Sequence, residues 1–577
     1  MKKARSQSSE LVAASAAALF LISAIARVLF WQATPDRAWP WSAYYKGDAP
    51  LWLDYARSMQ LNQPFELGLP IHPPGTAWLV TMFWNGEPSG IASLRLAWLL
   101  LGALVPPLVY LAVQRSFGAR VALFAGGFCA VSTGLFVLST SIDSETPYLV
   151  LVAASFWFVH DLLDARRSIS VPLAIWSALN AAACLVRVDH LLFYLLALAF
   201  FAVVWMRRGG GGVAVRVLVS LLFFGLPLVP WHLTAWSAIR RFNEVPRQLS
   251  PTEEQAIASV ESTLQHVPWT AAARQRRDEL PAFVRRTASV FVLATTYYRG
   301  GREVRAEDFA VLEQAFGYVP RPLQRFPFVS LYGPLNFALA NHPGATGGFD
   351  RAPLDEPPLL AGGAQAYPFF LVQGLPPSQL TFFYPPHLRL FNEGYAVGWQ
   401  WIARHPGDFA RLAVRKLAIF WSGAAHGVTG YGLPAGLSGP RRAVDLVVPD
   451  PGPLAFVWRV VLLLAALAGV AAAWRAPELW PWLLFLAAKL VVTVLFFGYA
   501  RQGAIVIPIV ALLVALAARP LLARVSVRAF AAIALVAIAA DAVRVATRPA
   551  LSIDHRPATT SDPDPSDVHR DQRVDVG

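Results

Sequence analysis

The sequence predicts an all-α polytopic membrane protein with about 11 (11–13) transmembrane helices, outer-face juxtamembrane helices and a mixed extracytoplasmic segment. Three observations carry this. Of the 577 residues, 56% are hydrophobic and 15% are charged, whereas a soluble globular protein carries about 25% charged residues. Apolar runs of about 20 residues, the length that crosses a hydrocarbon core, recur along the chain. The chain also holds 20 Trp and 36 Phe, and aromatic rings collect where membrane meets water.

The first predicted span is 10–31. Lys2, Lys3 and Arg5 precede it and imitate a signal peptide. The run is long enough to span, however, and no small-residue cleavage site follows, so a retained helix is expected. An outer loop, 32–90, comes next, rich in Trp, Tyr and Pro, with Leu51 to Gln60 reading as a short amphipathic helix. Spans at 91–114, 119–139, 145–163, 171–187, 188–206 and 214–236 complete an N-terminal transmembrane module, 1–236. Residues 237–452 form a second outer segment, polar and helical from Ser250 to Arg286, then rich in Gly and Pro from Tyr332 to Asp355. Within it Phe409 to Ser422 is apolar but short, and it carries Arg411, Arg415 and Lys416. A full span there would invert every later loop, so 409–422 is expected to be an interfacial or re-entrant helix. Spans 453–474, 478–497, 503–518 and 527–546 make up the C-terminal module, 453–546, and the polar residues 547–577 read as a disordered tail.

Orientation follows from the basic loops. With the N-terminus cytoplasmic, thirteen basic residues fall in inner segments, among them Arg115, Arg166, Arg207, Arg475 and Arg519. The short outer turns then hold only Arg187 and Arg501. This asymmetry is the positive-inside pattern. It also accounts for the formal net charge of +13 without any nucleic-acid partner. Cys129 and Cys184 both lie in apolar runs and form neither a disulfide framework nor a zinc site.

Polar groups that apolar packing does not need collect at the outer helix ends, where they mark candidate sites. They are Asp48 and Asp54 with Arg57 in the first outer loop, His72 in the His72-Pro73-Pro74-Gly75 turn, and Asp143 with Glu145 between the third and fourth spans. Arg187 with Asp189, and Tyr499 with Arg501, complete the set. The topology, which rests mainly on the inner loops, puts all of these on one side of the membrane.

In this order the motifs resemble those of the polytopic C-type glycosyltransferases, in the bacterial branch related to protein O-mannosyltransferases and lipid A aminoarabinose transferases. The stretches that carry the resemblance are Asp48 with Trp52 and Ala56, IHPPGTAWL, SLRLAWLLLGALVPPLVYLAVQRSFGARVALFAG, LSTSIDSETPYLVL, ACLVRVDHLLF, HPGDFARLAVRKLAIFW and YARQGAIVIPIVALLVALA. The resemblance implies transfer of a sugar from a polyprenyl-phosphate donor to an extracytoplasmic acceptor, which is a protein, a glycan or a lipid. It implies a bacterial inner membrane with the site on the periplasmic face. Polyprenyl phosphate is a good leaving group, so the chemistry needs a base for the acceptor proton and cations for the departing phosphate. By resemblance Asp48 is the base. Arg187 and Arg501 suit phosphate, His72 is a third phosphate candidate when protonated, and Asp143 and Glu145 are acidic site candidates.

The chain also departs from the family pattern. It has Asp48-Ala49 where relatives often have Asp-Glu, Trp52 where they have Tyr, and Ile71-His72 where the aminoarabinose branch has Glu-Lys before Pro-Pro. The missing Glu puts a divalent metal site like that branch's in doubt, and spacing does not support one, since no histidine pair has HExxH-type spacing. The departures also argue against lipid A as acceptor.

Each candidate has a plainer reading. Asp48 fits a helix N-cap, Asp143 and Glu145 fit the start of the fourth span, and Arg187, Arg501 and Arg95 fit snorkelling anchors. His72 fits a simple turn before Pro73. A transporter or flippase of lipid-linked saccharides is the competing function. Inverted repeats and mid-membrane polar groups would mark it; charges within spans are few, as at Arg459, Lys489 and Asp541.

Overall fold

The computed structural model describes residues 2–33, 48–164, 170–209, 212–324, 327–350, 352–354, 381–425 and 453–524. Among these residues the protein is helical, with no strand and one isolated bridge, between Trp269 and Val304. Seven described helices are long and apolar enough to cross a membrane. They are Glu10–Leu29, Pro88–Phe117, Glu145–Leu163, His190–Arg207, Val213–Glu244, Phe456–Ala473 and Pro477–Leu495. An eighth arises if the bent pair Ala119–Val131 and Gly134–Thr140 counts as one span.

The expectation of eleven spans differs from this in three places. The 119–139 run bends by 53°, because Ser132 takes an extended conformation (φ −73°, ψ 117°) between its two helical pieces. The 171–187 and 503–518 runs form shorter apolar helices, Ser170–Val186 and Ile507–Ala517. In the second, Pro508 sits in the first turn, where its missing N–H has no partner to lose, and so sets the helix start. The expected span 527–546, the tail 547–577 and residues 426–452 lie outside the described residues.

One apolar core unites the spanning helices, from Val109 and Ala122 through Tyr148, Trp176 and Phe193 to Phe485 and Leu512. Outside it, large side chains such as Leu21, Ile25, Leu218, Leu222 and Leu464 are exposed along the same helices. An apolar surface of that extent belongs in lipid, since water would make it unfavourable.

Outside the spans, helix Pro251–Thr263 starts on a capping box. Ser250 accepts from the Glu253 backbone, and the Glu253 carboxylate accepts in return from the Ser250 backbone. It packs with Ala282–Tyr298 and Ala310–Phe316 around Ile257, Phe291 and Leu312. A further cluster joins Leu335, Leu388 and Phe391 to Phe497, at the end of helix Trp480–Leu495.

Helix Pro406–Ala424 covers the 409–422 segment. Arg411 and Arg415 are exposed on it, but Lys416 is fully buried, donating to Asn341 Oδ1 at 3.0 Å and to the Val494 carbonyl at 3.2 Å. Its first neighbour of note is the short helix Ala500–Ala504. The two approach so closely that a Cβ on Gly423 would strike the Ala500 carbonyl, and one on Gly503 the Phe420 carbonyl. Only glycine leaves room for this contact.

Arg95 does not snorkel. It is 1% exposed, and its Nε donates to the Thr140 carbonyl at 3.0 Å. That carbonyl is freed where the Gly134–Thr140 piece ends, and an arginine inside the bundle satisfies it.

Candidate active site

Helix ends converge at the site because of where the chain breaks its helices. Asp48 precedes helix Ala49–Gln60, and Pro50 in the first turn fixes the start. Its side chain makes no capping hydrogen bond. Asp48 Oδ2 instead accepts from Arg501 Nη1 at 2.6 Å. The plainer N-cap role is thus absent, and the carboxylate, 37% exposed, is turned to a cation from the far end of the chain.

Arg501 in turn faces Glu145. Its Nε lies 3.5 Å from Glu145 Oε1, an ion pair without hydrogen-bond geometry. Glu145 begins helix Glu145–Trp157, and its side chain is 0% exposed. An unpaired carboxylate at such a position would be costly, and a second arginine answers it. Arg187 Nη1 donates to Glu145 Oε1 at 2.7 Å and to Ser144 Oγ at 3.3 Å. Arg187 stands in the break between helices Ser170–Val186 and His190–Arg207, and its Nε donates to Asp189 Oδ1 at 3.3 Å. The other Asp189 oxygen accepts from Lys489 Nζ, from the interior of helix Trp480–Leu495. Three carboxylates and three cations therefore alternate in one run: Asp48, Arg501, Glu145, Arg187, Asp189, Lys489.

Asp143 lies beside this run. Its backbone carbonyl accepts from Trp98 Nε1 at 3.1 Å, while its buried Oδ1 has no hydrogen-bond partner. Burial pushes its carboxyl up to about 8, reinforced by the like charges of Glu145 and Asp48 and opposed by Arg501. Asp48 behaves in the opposite way. Burial alone would raise its carboxyl, but the Arg501 charge and hydrogen bond outweigh that and hold it below its usual value, with His72 and Arg187 adding to the effect.

His72 joins from the turn before helix Gly75–Phe83. The turn is pressed on the end of helix Ser170–Val186, since a Cβ on Gly75 would lie 2.8 Å from the Leu185 carbonyl oxygen. His72 Nδ1 lies 2.8 and 2.9 Å from the two Glu66 oxygens, and its ring sits 4.9 Å from that of Tyr332. Burial would lower the imidazole, but the Glu66 charge and hydrogen bond prevail, with help from Asp48, and raise it.

The structure thus brings together Asp48, Glu145, Arg187 and Arg501 by direct contact, with Asp143 and His72 coupled to Asp48 through space. Tyr44 to Gly47, which precede Asp48, lie outside the described residues. Two members went unselected from the sequence. Glu66 lies in a turn between Pro64 and Gly68 where Glu66 (φ 48°) and Leu67 (φ 62°) adopt left-handed backbone, an uncommon conformation with local strain. Lys489 carried a signal, a charge inside a span, but nothing local identified Asp189 as its partner. Among the described residues, no group of three or more His, Cys, Asp or Glu side chains is arranged to hold a metal ion.

Chemically, the arrangement offers an accessible carboxylate already ionised, two arginines within reach of one anion, and a buried acid that keeps its proton near neutrality. Comparison with known proteins gives one family match. Residues 71–233 match the family of dolichyl-phosphate-mannose-protein mannosyltransferases, a stretch that includes His72, Asp143, Glu145 and Arg187. This match bears out the resemblance to polytopic C-type glycosyltransferases. Among solved structures, the chain is similar to the crystal structure of ArnT from Cupriavidus metallidurans bound to undecaprenyl phosphate. The identity is 14% over 87% of this chain and 78% of that one, with a TM-score of 0.31. No curated protein matches the sequence.

Proposed function

We propose, from the family match and the paired charges together, that this chain is a membrane glycosyltransferase moving a sugar from a polyprenyl-phosphate donor to an acceptor outside the cytoplasm. The site then faces the periplasm of a bacterial inner membrane, with the N-terminus cytoplasmic. The observation that carries the reading is the Asp48–Arg501 pair at 2.6 Å, in contact with Glu145 and through it with Arg187.

In the reaction the acceptor oxygen attacks the anomeric carbon and its proton passes to Asp48. The bond between the anomeric carbon and the phosphate oxygen breaks, and its electron pair stays on the phosphate. The products are the glycosylated acceptor, polyprenyl phosphate and protonated Asp48, which returns its proton through its exposed edge. The phosphate gains negative charge as the bond breaks, so cations aimed at it favour the transition state over the bound donor. Arg187 and Arg501 supply that charge, with His72 beside them.

At rest these arginines are already satisfied by carboxylates. Seating the donor's phosphate draws Arg501 away from Asp48, and Asp48 loses the partner that weakens it as a base. The carboxylate becomes basic when the donor is in place. Asp143, protonated, does not add a fourth negative charge near the phosphate.

The test is sugar transfer from a panel of radiolabelled polyprenyl-phosphate sugars in membranes holding wild type or Asp48→Asn. Wild-type transfer that falls at least ~100-fold in Asp48→Asn, at equal protein level, is the expected result for a lost general base. Equal transfer by both proteins removes the role given to Asp48. Movement of the lipid-linked sugar between leaflets without transfer replaces the enzyme with a flippase.

A further inference from the structure

We propose that Lys489 is a positioning residue of this site: it holds Asp189 so that Arg187 stays turned to Glu145 and open to the donor's phosphate. The inference rests on the glycosyltransferase reading above.

Lys489 lies inside helix Trp480–Leu495, one of the membrane-capable helices, and its side chain is 2% exposed. A charged group at such depth is expensive and is retained where it has a task. Its ammonium pairs with Asp189 Oδ2 and lies 4.4 Å from the Tyr148 ring centre and 5.4 Å from that of Phe485. It does not reach the outer cluster directly. What it reaches is the carboxylate that Arg187 also uses, through Asp189 Oδ1 at 3.3 Å.

Arg187 divides its donors between Asp189 and Glu145, using Nε for the first and Nη1 for the second. Deleting the Lys489 charge leaves Arg187 as the cation remaining on Asp189. A carboxylate with one guanidinium favours a two-point contact. Arg187 would then turn toward Asp189 and away from Glu145. The run changes from three cations against three carboxylates to two against three, before a negative phosphate arrives. Phosphate binding should therefore weaken, while Asp48, seated on Arg501 at the other end of the run, keeps its own contact.

The measurement is binding of undecaprenyl phosphate to the full-length protein in detergent, with transfer kinetics and thermal stability recorded alongside. Lys489→Met is expected to weaken binding about tenfold or more and to lower kcat/KM by at least as much, since Arg187 serves both the bound donor and the departing phosphate. Lys489→Arg should retain most of the affinity. The double variant Lys489→Met with Asp189→Asn is decisive, because an amide no longer captures Arg187, and affinity should return to near wild type. That double variant leaves no unpaired buried charge on either helix, which keeps the proposal testable if Lys489→Met does not fold. Wild-type affinity in Lys489→Met, or no recovery in the double variant, overturns the role of Lys489. A wild-type protein that neither binds undecaprenyl phosphate nor transfers sugar overturns the glycosyltransferase reading itself.

Discussion

The Arg501 guanidinium donates to the Asp48 carboxylate at 2.6 Å across 453 residues of sequence, and the same side chain faces Glu145 at 3.5 Å. One cation thus serves two acids that come from different helix ends. Arginine suits this because its donors diverge in a fixed plane, whereas lysine offers a single point of charge.

Arg501→Lys should keep the fold but lose the double contact. We expect kcat/KM for the lipid-linked donor to fall on the order of 10- to 100-fold, and further in Arg501→Ala, as for removal of an oxyanion-stabilising donor. Steady-state transfer checks this. Wild-type rates in Arg501→Lys would show that charge alone is enough.

Asp143 makes stability depend on pH in an uncommon direction. Its carboxyl lies near 8 in the folded protein, against an ordinary value of 3.8. A raised acid is favourable while protonated, so its contribution is complete below its unfolded value and is lost as pH rises through its folded one. The loss therefore builds between about pH 4 and pH 8. Asp143→Asn cannot ionise, so its melting temperature should fall less than the wild type's between pH 5.5 and roughly pH 8.5, within and just beyond that window. Parallel curves for the two proteins would contradict the assignment.

Glu66 holds the His72 proton. Glu66→Gln removes the largest influence favouring the charged imidazole, leaving burial to act against it. His72 should then lose its proton at lower pH. If the imidazolium helps to bind phosphate, the rise of donor KM with pH should begin earlier in Glu66→Gln than in wild type. An unmoved KM profile would separate His72 from the donor.

Gly503 and Gly423 set the position of Arg501. A methyl group at either place meets a backbone carbonyl that cannot rotate away. Gly503→Ala should cost about 1–3 kcal/mol through overpacking and reduce transfer more than its stability loss explains, because Arg501 lies two residues away. Thermal denaturation and transfer on the same preparation check both halves.

Much of the architecture was legible because membrane spans advertise themselves by length and hydropathy. Asp48, Asp143, Glu145, Arg187 and Arg501 stood out because charged side chains at the ends of apolar helices have few packing reasons to be there. Their proximity in space was only implied by a shared face. The hidden parts share one cause, dependence on distant chain. Lys489 needs Asp189 from another helix, and Arg95 turns inward because the Gly134–Thr140 piece ends beside it. Glu66 was missed for another reason: Pro64, Gly68 and Pro70 mark a turn there, but not which of its side chains reaches His72. The bend at Ser132 likewise rests on tertiary context, because serine does not by itself stop a helix.

The separation of Asp48 from Arg501 also orders events during synthesis. A chain enters the membrane from its N-terminus, so Asp48 is delivered long before the helix that carries its partner. Until then the acid lacks its arginine, and neither half of the bundle holds a complete charge set. The Asp48–Arg501 contact is consequently among the last to form in biogenesis, and under the proposed function a prematurely ended product that lacks helix Ala500–Ala504 is expected to transfer no sugar.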